Sequence, residues 1–175
     1  MTTLWSTDKI SALLHERFAP NASNSRADPV IDVLITFDTR GVSSHPNHIS
    51  LYHGARAFVS SLTGDSSDGR RSPVDLYTLT SVGLLRKYSG MLDVFATLGS
   101  AALSSGGRLM ESGSGGSSVE RPASLIFMHG LKAGGWATAR RAMTTAHVSQ
   151  MRWFRYGWIT LSRYMYVNDL NLVEV

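Results

Sequence analysis

The spacing of hydrophobic positions changes period several times along the chain, and each change predicts an element. Over residues 7–18, Ile10, Leu13, Leu14 and Phe18 fall on one face at helical spacing, with Thr7 placed to cap the helix and Asp8 in its first turn. The next stretch, "APNASNSRADP" (residues 19–29), is rich in small and turn-forming residues and reads as a linker. "VIDVLITFD" (residues 30–38) alternates, with Ile31, Val33, Ile35 and Phe37 to one side and Asp32, Thr36 and Asp38 to the other, which predicts a half-buried strand. After the turn "RGVSSHPN", Asn47 is placed to cap a second helix with Leu51, Tyr52, Ala55, Phe58, Val59 and Leu62 on a broad apolar face.

Residues 63–73, "TGDSSDGRRSP", read as an exposed loop, and two β-prone runs around a Tyr88-Ser89-Gly90 turn predict an antiparallel hairpin. Residues 104–122 are rich in Gly and Ser and predict a mobile loop; "ASLIFMHGLK" predicts another strand, and residues 137–150 a short helix or coil. The segment "MRWFRYGWITLSRYMY" (residues 151–166), read at period two, places Phe154, Tyr156, Trp158, Thr160, Tyr164 and Tyr166 on one face of a strand, with Gly157 as a bend. The expectation is a single α+β domain: a four- to five-stranded antiparallel sheet against two or more helices, with an N-terminal helix and linker at 1–29 and the body at 30–175.

Composition sharpens this at a few points. The 175 residues contain no cysteine, which excludes disulfides, thiol nucleophiles and thiolate metal sites. No apolar run is long enough to cross a bilayer, and no signal peptide is expected at the N-terminus. Charged residues make up only 17% of the chain, and they are unevenly distributed. Residues 1–120 carry ten basic and eleven acidic groups, whereas Arg121 to Asn168 carry seven basic groups and no carboxylate. Such a half attracts phosphates unless its arginines pair with carboxylates of the first half. The segment 151–166 is thus open to three readings: a core strand with a basic rim, a surface that stacks and neutralises nucleic acid, or a surface that lies on an anionic membrane. The residues that would meet membrane or phosphate are Lys132, Arg140, Arg141, Arg152, Arg155 and Arg163, together with Trp153 and Trp158.

Catalytic patterns are sparse. His45, His48 and His53 cluster, but without the spacing of a helical metal-binding pair or a fourth ligand nearby, so neither metal nor cofactor is expected. "SGSGG" around Ser114 lies in low-complexity sequence and reads as linker, and "GLKAGG" (residues 130–135) lacks the order of a phosphate-binding loop. No carboxylate pair is placed for acid–base work, so no catalytic residue is assigned and the chain is not expected to be an enzyme.

The order of elements adds a family resemblance. The strand "VIDVLITFDTRG", the helix "HISLYHGARAFVSSL", the segment "SVGLLRKYSGMLDVFATLGSAAL" with "FATLGS" at Phe95 to Ser100, a polar loop and the strand "SLIFMHGLKAG" span residues 30–135. This pattern resembles the matrix proteins of rhabdoviruses, particularly those of plant-infecting cytorhabdoviruses. The lysine-rich arm and proline-rich motif of the animal-virus members are absent, so the membrane role moves to the basic C-terminal half. The resemblance implies a structural protein that self-associates, condenses the viral nucleoprotein–RNA complex and links it to an anionic membrane. It implies a place beneath the virion envelope and at host cytoplasm and membranes. Ile10, Leu13, Leu14, Arg108, Leu109 and Met110 become candidates for self-association. The alternative is a viral RNA-binding or coat protein that uses the same basic aromatic half.

Overall fold

The structure is a computed structural model that describes residues 4–20, 29–63, 71–108, 121–129 and 134–175. It comprises two compact units, Met1–Ser81 with Leu170–Val175 and Val82–Asp169. The class is α+β, with a four-stranded sheet in the order β1-β2-β4-β3: β1 is Val33–Phe37, β2 Asp75–Leu79, β3 Ser124–Met128 and β4 Val167–Val173. β2 and β4 are antiparallel, Leu76 opposite Val173 and Leu79 opposite Leu170, while β1 and β2 are parallel, Val33 opposite Asp75 and Phe37 opposite Leu79. The sheet is therefore mixed where an antiparallel one was expected, because a helical crossover connects β1 to β2 and a crossover returns the chain in the same direction.

In the first unit, α1 (Thr7–Phe18) begins at Ser6, whose hydroxyl accepts from Lys9 N–H; the cap lies one residue earlier than the sequence suggested. A short turn, α2 (Gly41–Ser44), precedes α3 (Pro46–Ser61). α3 packs on β1 and β2 and α1 packs on α3. Phe58, Val59 and Ala55 of α3 and its C-cap Leu62 meet Val74 and Leu76, with Leu34 and Val173 packed against them. Of the residues predicted to face inward, Ile31 packs on the core, but Val33 and Ile35 are 46% and 57% exposed and Leu34, expected on the other side, faces the core instead. A one-residue difference in register moves every side chain to the other face, and here packing against α3 selects the face of Leu34 and Thr36 over the more apolar face of Val33 and Ile35.

Ile10 seats α1 on Gly54, where an added Cβ would lie 2.3 Å from Ile10 Cγ2 and 2.4 Å from its Cβ. Gly54→Ala must therefore push α1 away, and we expect a loss of about 1–3 kcal/mol in denaturant unfolding. An unchanged midpoint would mean that α1 is not held by this contact.

In the second unit, two predicted strands are helices. Residues 84–108 form a turn, α4 (Leu84–Lys87), a 3-10 turn at Gly90–Leu92 and α5 (Asp93–Arg108), not the second arm of a hairpin. α5 takes in residues 104–108 of the expected mobile loop at 104–122, of which residues 109–120 lie outside the described residues. α6 (Gly135–Ala146) fills most of the 137–150 segment. Residues 153–161 form α7 (Trp153–Leu161), followed by a 3-10 turn at Arg163–Met165, and β4 starts only at Val167. The aromatic residues satisfied both periods, and Phe154, Trp158 and Leu161 are equally an i, i+4, i+7 helical row.

Beside the apolar Met165 and Val167, the buried residues described in this unit include a polar network. The Asp93 carboxylate meets Arg86 Nε at 2.7 Å and Arg86 Nη2 at 3.1 Å on its two oxygens, and Arg163 Nε at 2.6 Å. Arg163 Nη2 donates to Asp169 Oδ1 and to Thr97 Oγ1, each at 2.8 Å. Arg163, Asp93 and Thr97 are all buried. Apolar side chains, by contrast, lie outside: Leu84, Leu85, Leu92, Phe95 and Leu103 are each at least 70% exposed.

Candidate active site

The end of β1 leads into the most distorted backbone among the described residues. Gly41, Val42 and Ser44 all have positive φ, at 59°, 61° and 56°, and a β-branched residue there is strained. Asp38 holds this turn. Its Oδ1 accepts from Arg40 N–H and Gly41 N–H, both at 3.0 Å, and from the Ser81 hydroxyl at 2.6 Å. Its Oδ2 accepts from Ser81 N–H at 2.7 Å, and Ser81 Oγ in turn accepts from Val42 N–H at 2.7 Å. Asp38 thus ties the carboxyl end of β1 to the segment that follows β2, and its oxygens are spent on that structural role.

The turn delivers two histidines to the start of α3. His45 is the N-cap and its Nδ1 accepts from Asn47 N–H at 3.3 Å; Pro46 occupies the first turn, where a missing N–H costs nothing. The cap is therefore His45 and not Asn47. His48 Nδ1 lies 2.9 Å from Gly41 O, and its ring stacks on Phe37 with centroids 4.0 Å apart and planes 10° apart. A carbonyl only accepts, so His48 carries a proton on Nδ1, and in the neutral ring Nε2 is then the acceptor. A backbone N–H only donates, so neutral His45 carries its proton on Nε2. With centroids 5.1 Å apart, the two rings present one acceptor and one donor. They lie at the carboxyl ends of a parallel strand pair, where open α/β sheets place their ligand crevices.

A histidine whose Nδ1–H is held by a backbone carbonyl is also oriented as metal ligands are. Among the described residues, however, no three His, Cys, Asp or Glu side chains converge. His53, the third member of the sequence cluster, is exposed five residues further along α3 and packs edge-on against Tyr52, away from this pair. The signal that sequence reading passed over was not ligand spacing but a pair of histidines flanking Pro-Asn between a strand end and a helix start.

The sequence-predicted binding residues divide. Arg140, Arg141, Arg152, Trp153 and Trp158 are exposed and Arg155 is partly so; none of these arginines is ion-paired among the described residues. Arg163 is the exception: it is buried in the Asp93 network and presents nothing to a phosphate. Of the self-association candidates, Ile10 is buried on Gly54, Leu14 packs on the core of the first unit and Leu13 is 63% exposed. Arg108 closes α5, and Leu109, Met110 and Lys132 lie outside the described residues. No described helix is long and apolar enough to cross a membrane.

Comparison with known proteins gives a consistent picture. The chain is 44% identical, over 97% of its length, to N-acetylglucosaminyl-phosphatidylinositol de-N-acetylase of Arthroderma benhamiae, of which it covers 56%. It is 38% identical over 80% of its length to the probable enzyme of that name from Schizosaccharomyces pombe, covering 46% of it. It is 31% identical over 97% of its length to that of Bos taurus, covering 52%. The chain spans about half the length of the curated relatives it matches. No protein-family model matches it, and no solved structure does.

These similarities overturn the viral reading. The relatives are de-N-acetylases of fungi and cattle, not rhabdovirus matrix or coat proteins, and they are enzymes where none was expected. The nucleoprotein–RNA partner and the place beneath a virion envelope fall with it. The shared order of strand, helix and β-prone segment was too generic to carry the resemblance, and its "FATLGS" segment, expected as a strand, is helical.

Proposed function

We propose that this chain forms part of a hydrolase that removes the acetyl group from an N-acetylglucosaminyl-phosphatidylinositol, with His45 and His48 at the reacting amide. The observation that carries the reading is the pair of backbone contacts, Asn47 N–H to His45 Nδ1 and His48 Nδ1 to Gly41 O, which give the two neutral rings opposed tautomers; the similarity to the named relatives supplies the reaction. Amide hydrolysis requires a group that holds the attacking water by its protons, and one that donates to the carbonyl oxygen as charge develops there. His48 Nε2 suits the first and His45 Nε2–H the second. Water oxygen bonds to the acetyl carbon as one water proton passes to His48 Nε2; the carbon–nitrogen bond then breaks as that proton is handed to the nitrogen, leaving the free amine and acetic acid, which ionises to acetate.

Release of acetate from N-acetylglucosaminyl-phosphatidylinositol by the purified protein tests this. His48→Gln is expected to lower kcat on the order of 10²–10⁴-fold, and His45→Gln about 10²-fold. His53→Gln should leave turnover unchanged. Absence of turnover by the unmodified protein, or equal effects at His53 and His48, would remove the proposal.

A further inference from the structure

We propose that α7 is a membrane-docking element that lies in the headgroup region of an anionic bilayer. This deepens the hydrolase reading and rests on it, since a phosphatidylinositol-linked substrate is met at a lipid surface. None of the nine residues of α7 is buried, although its sequence, WFRYGWITL, is mostly apolar. Trp153 is 87% exposed, Trp158 52% and Leu161 54%, with Phe154 and Tyr156 also on the surface. The rings form one continuous patch: Trp153 meets Phe154 at 5.9 Å, Phe154 meets Trp158 at 5.0 Å, and Trp158 meets Tyr88 at 6.3 Å. Beside Trp158 opens a cavity of about 310 Å³ lined mostly by apolar groups, among them Met143, Met151 and Ile159.

An exposed apolar patch of this kind needs an occupant, and the charge around it selects one. Arg152 is the N-cap residue of α7, Arg155 lies within it, and Arg140 and Arg141 project from α6, all without carboxylate partners among the described residues. No acidic residue occurs from Arg121 to Asn168. Trp and Tyr favour the boundary between headgroups and acyl chains, and unpaired arginines favour lipid phosphates. A protein partner would have to match arginines on α6 and α7 with no acidic residue in the same stretch of chain, whereas an anionic leaflet matches them without specific contacts.

The test is co-sedimentation of the protein with phosphatidylcholine vesicles with and without phosphatidylinositol. Binding is expected only with phosphatidylinositol. The partition coefficient should fall roughly five-fold for each of Arg140, Arg141, Arg152 and Arg155 changed to Gln. Trp153→Ser, at a side chain too exposed to matter for folding, should lower it at least ten-fold and remove quenching of tryptophan fluorescence by brominated lipid. Equal binding by Trp153→Ser and the parent, or binding to single-stranded RNA with none to vesicles, would overturn the proposal. Acetate release from detergent-dispersed substrate separates the two readings. If Trp153→Ser turns over dispersed substrate normally but vesicle-embedded substrate poorly, both stand. If the parent turns over neither, the hydrolase reading fails, and vesicle binding decides the fate of α7 by itself.

Discussion

Replacing Asp93 by alanine is expected to unfold the second unit, or to leave it only marginally folded. The substitution strands the Arg163 guanidinium, fully buried, with one of its two carboxylate partners gone and its link through Thr97 unsupported. Removing one partner of a buried ion pair costs about 3–5 kcal/mol, against a total stability of about 5–15 kcal/mol for a domain. Burial alone would push the Asp93 carboxyl up, but hydrogen bonds from Arg86 and Thr97 and the charges of Arg163 and Arg86 together hold it below the usual carboxylate range. A carboxyl depressed on folding contributes stability that is fully present above its unfolded pKa, near ~4, and is lost as pH falls through the lower folded value. Acid unfolding monitored between neutral pH and about pH 2 should therefore show a transition below ~4 that is missing in Asp93→Asn. A loss under ~1 kcal/mol in Asp93→Ala would mean that the network is dispensable.

Gly41→Ala should damage the candidate site more than the fold. Its φ of 59° disfavours any side chain, and a Cβ there would lie 2.9 Å from His48 Cβ and 3.1 Å from Ile49 Cγ1. The strain and the clash together are expected to cost about 1–3 kcal/mol. The clash acts on the residue whose Nδ1–H the Gly41 carbonyl holds, so His48 must move or turn. A displacement near 1 Å at a reacting group costs on the order of 10²-fold in rate. Comparing kcat with thermal midpoint across Gly41→Ala and Gly54→Ala separates the effects: the first should lose turnover at modest cost in stability, the second stability at modest cost in turnover.

Helical periodicity was legible where one period dominated. Ile10, Leu14 and Phe18 placed α1, and Ala55, Phe58 and Leu62 placed α3, nearly to the residue. Residues 151–166 were misread because large aromatic side chains satisfy spacings of two and of four alike, and β-propensity then tipped the choice. The burial of Arg163 was illegible for a different reason: its partner Asp93 is seventy positions away, and nothing local distinguishes an arginine bound for a buried ion pair from one bound for solvent. The histidine turn is visible in the sequence, but its geometry is not. Spacing addresses His45 and His48 only as a metal pair, whereas their orientation depends on backbone contacts at Gly41 and Asn47 that no spacing rule contains.

β4 has a consequence for how the chain folds. The strand that flanks β2 on the side away from β1 arrives only after the whole second unit has been made, as the bond from the Thr78 hydroxyl to Asn171 O, across 93 positions, illustrates. Until then β1, β2 and α3 can associate, but β2 keeps one row of backbone groups open. Closure across so long a separation is slow. A variant that weakens only the second unit should therefore delay maturation of the first, and the interval is one in which the half-finished sheet is vulnerable to proteases and to pairing with other chains.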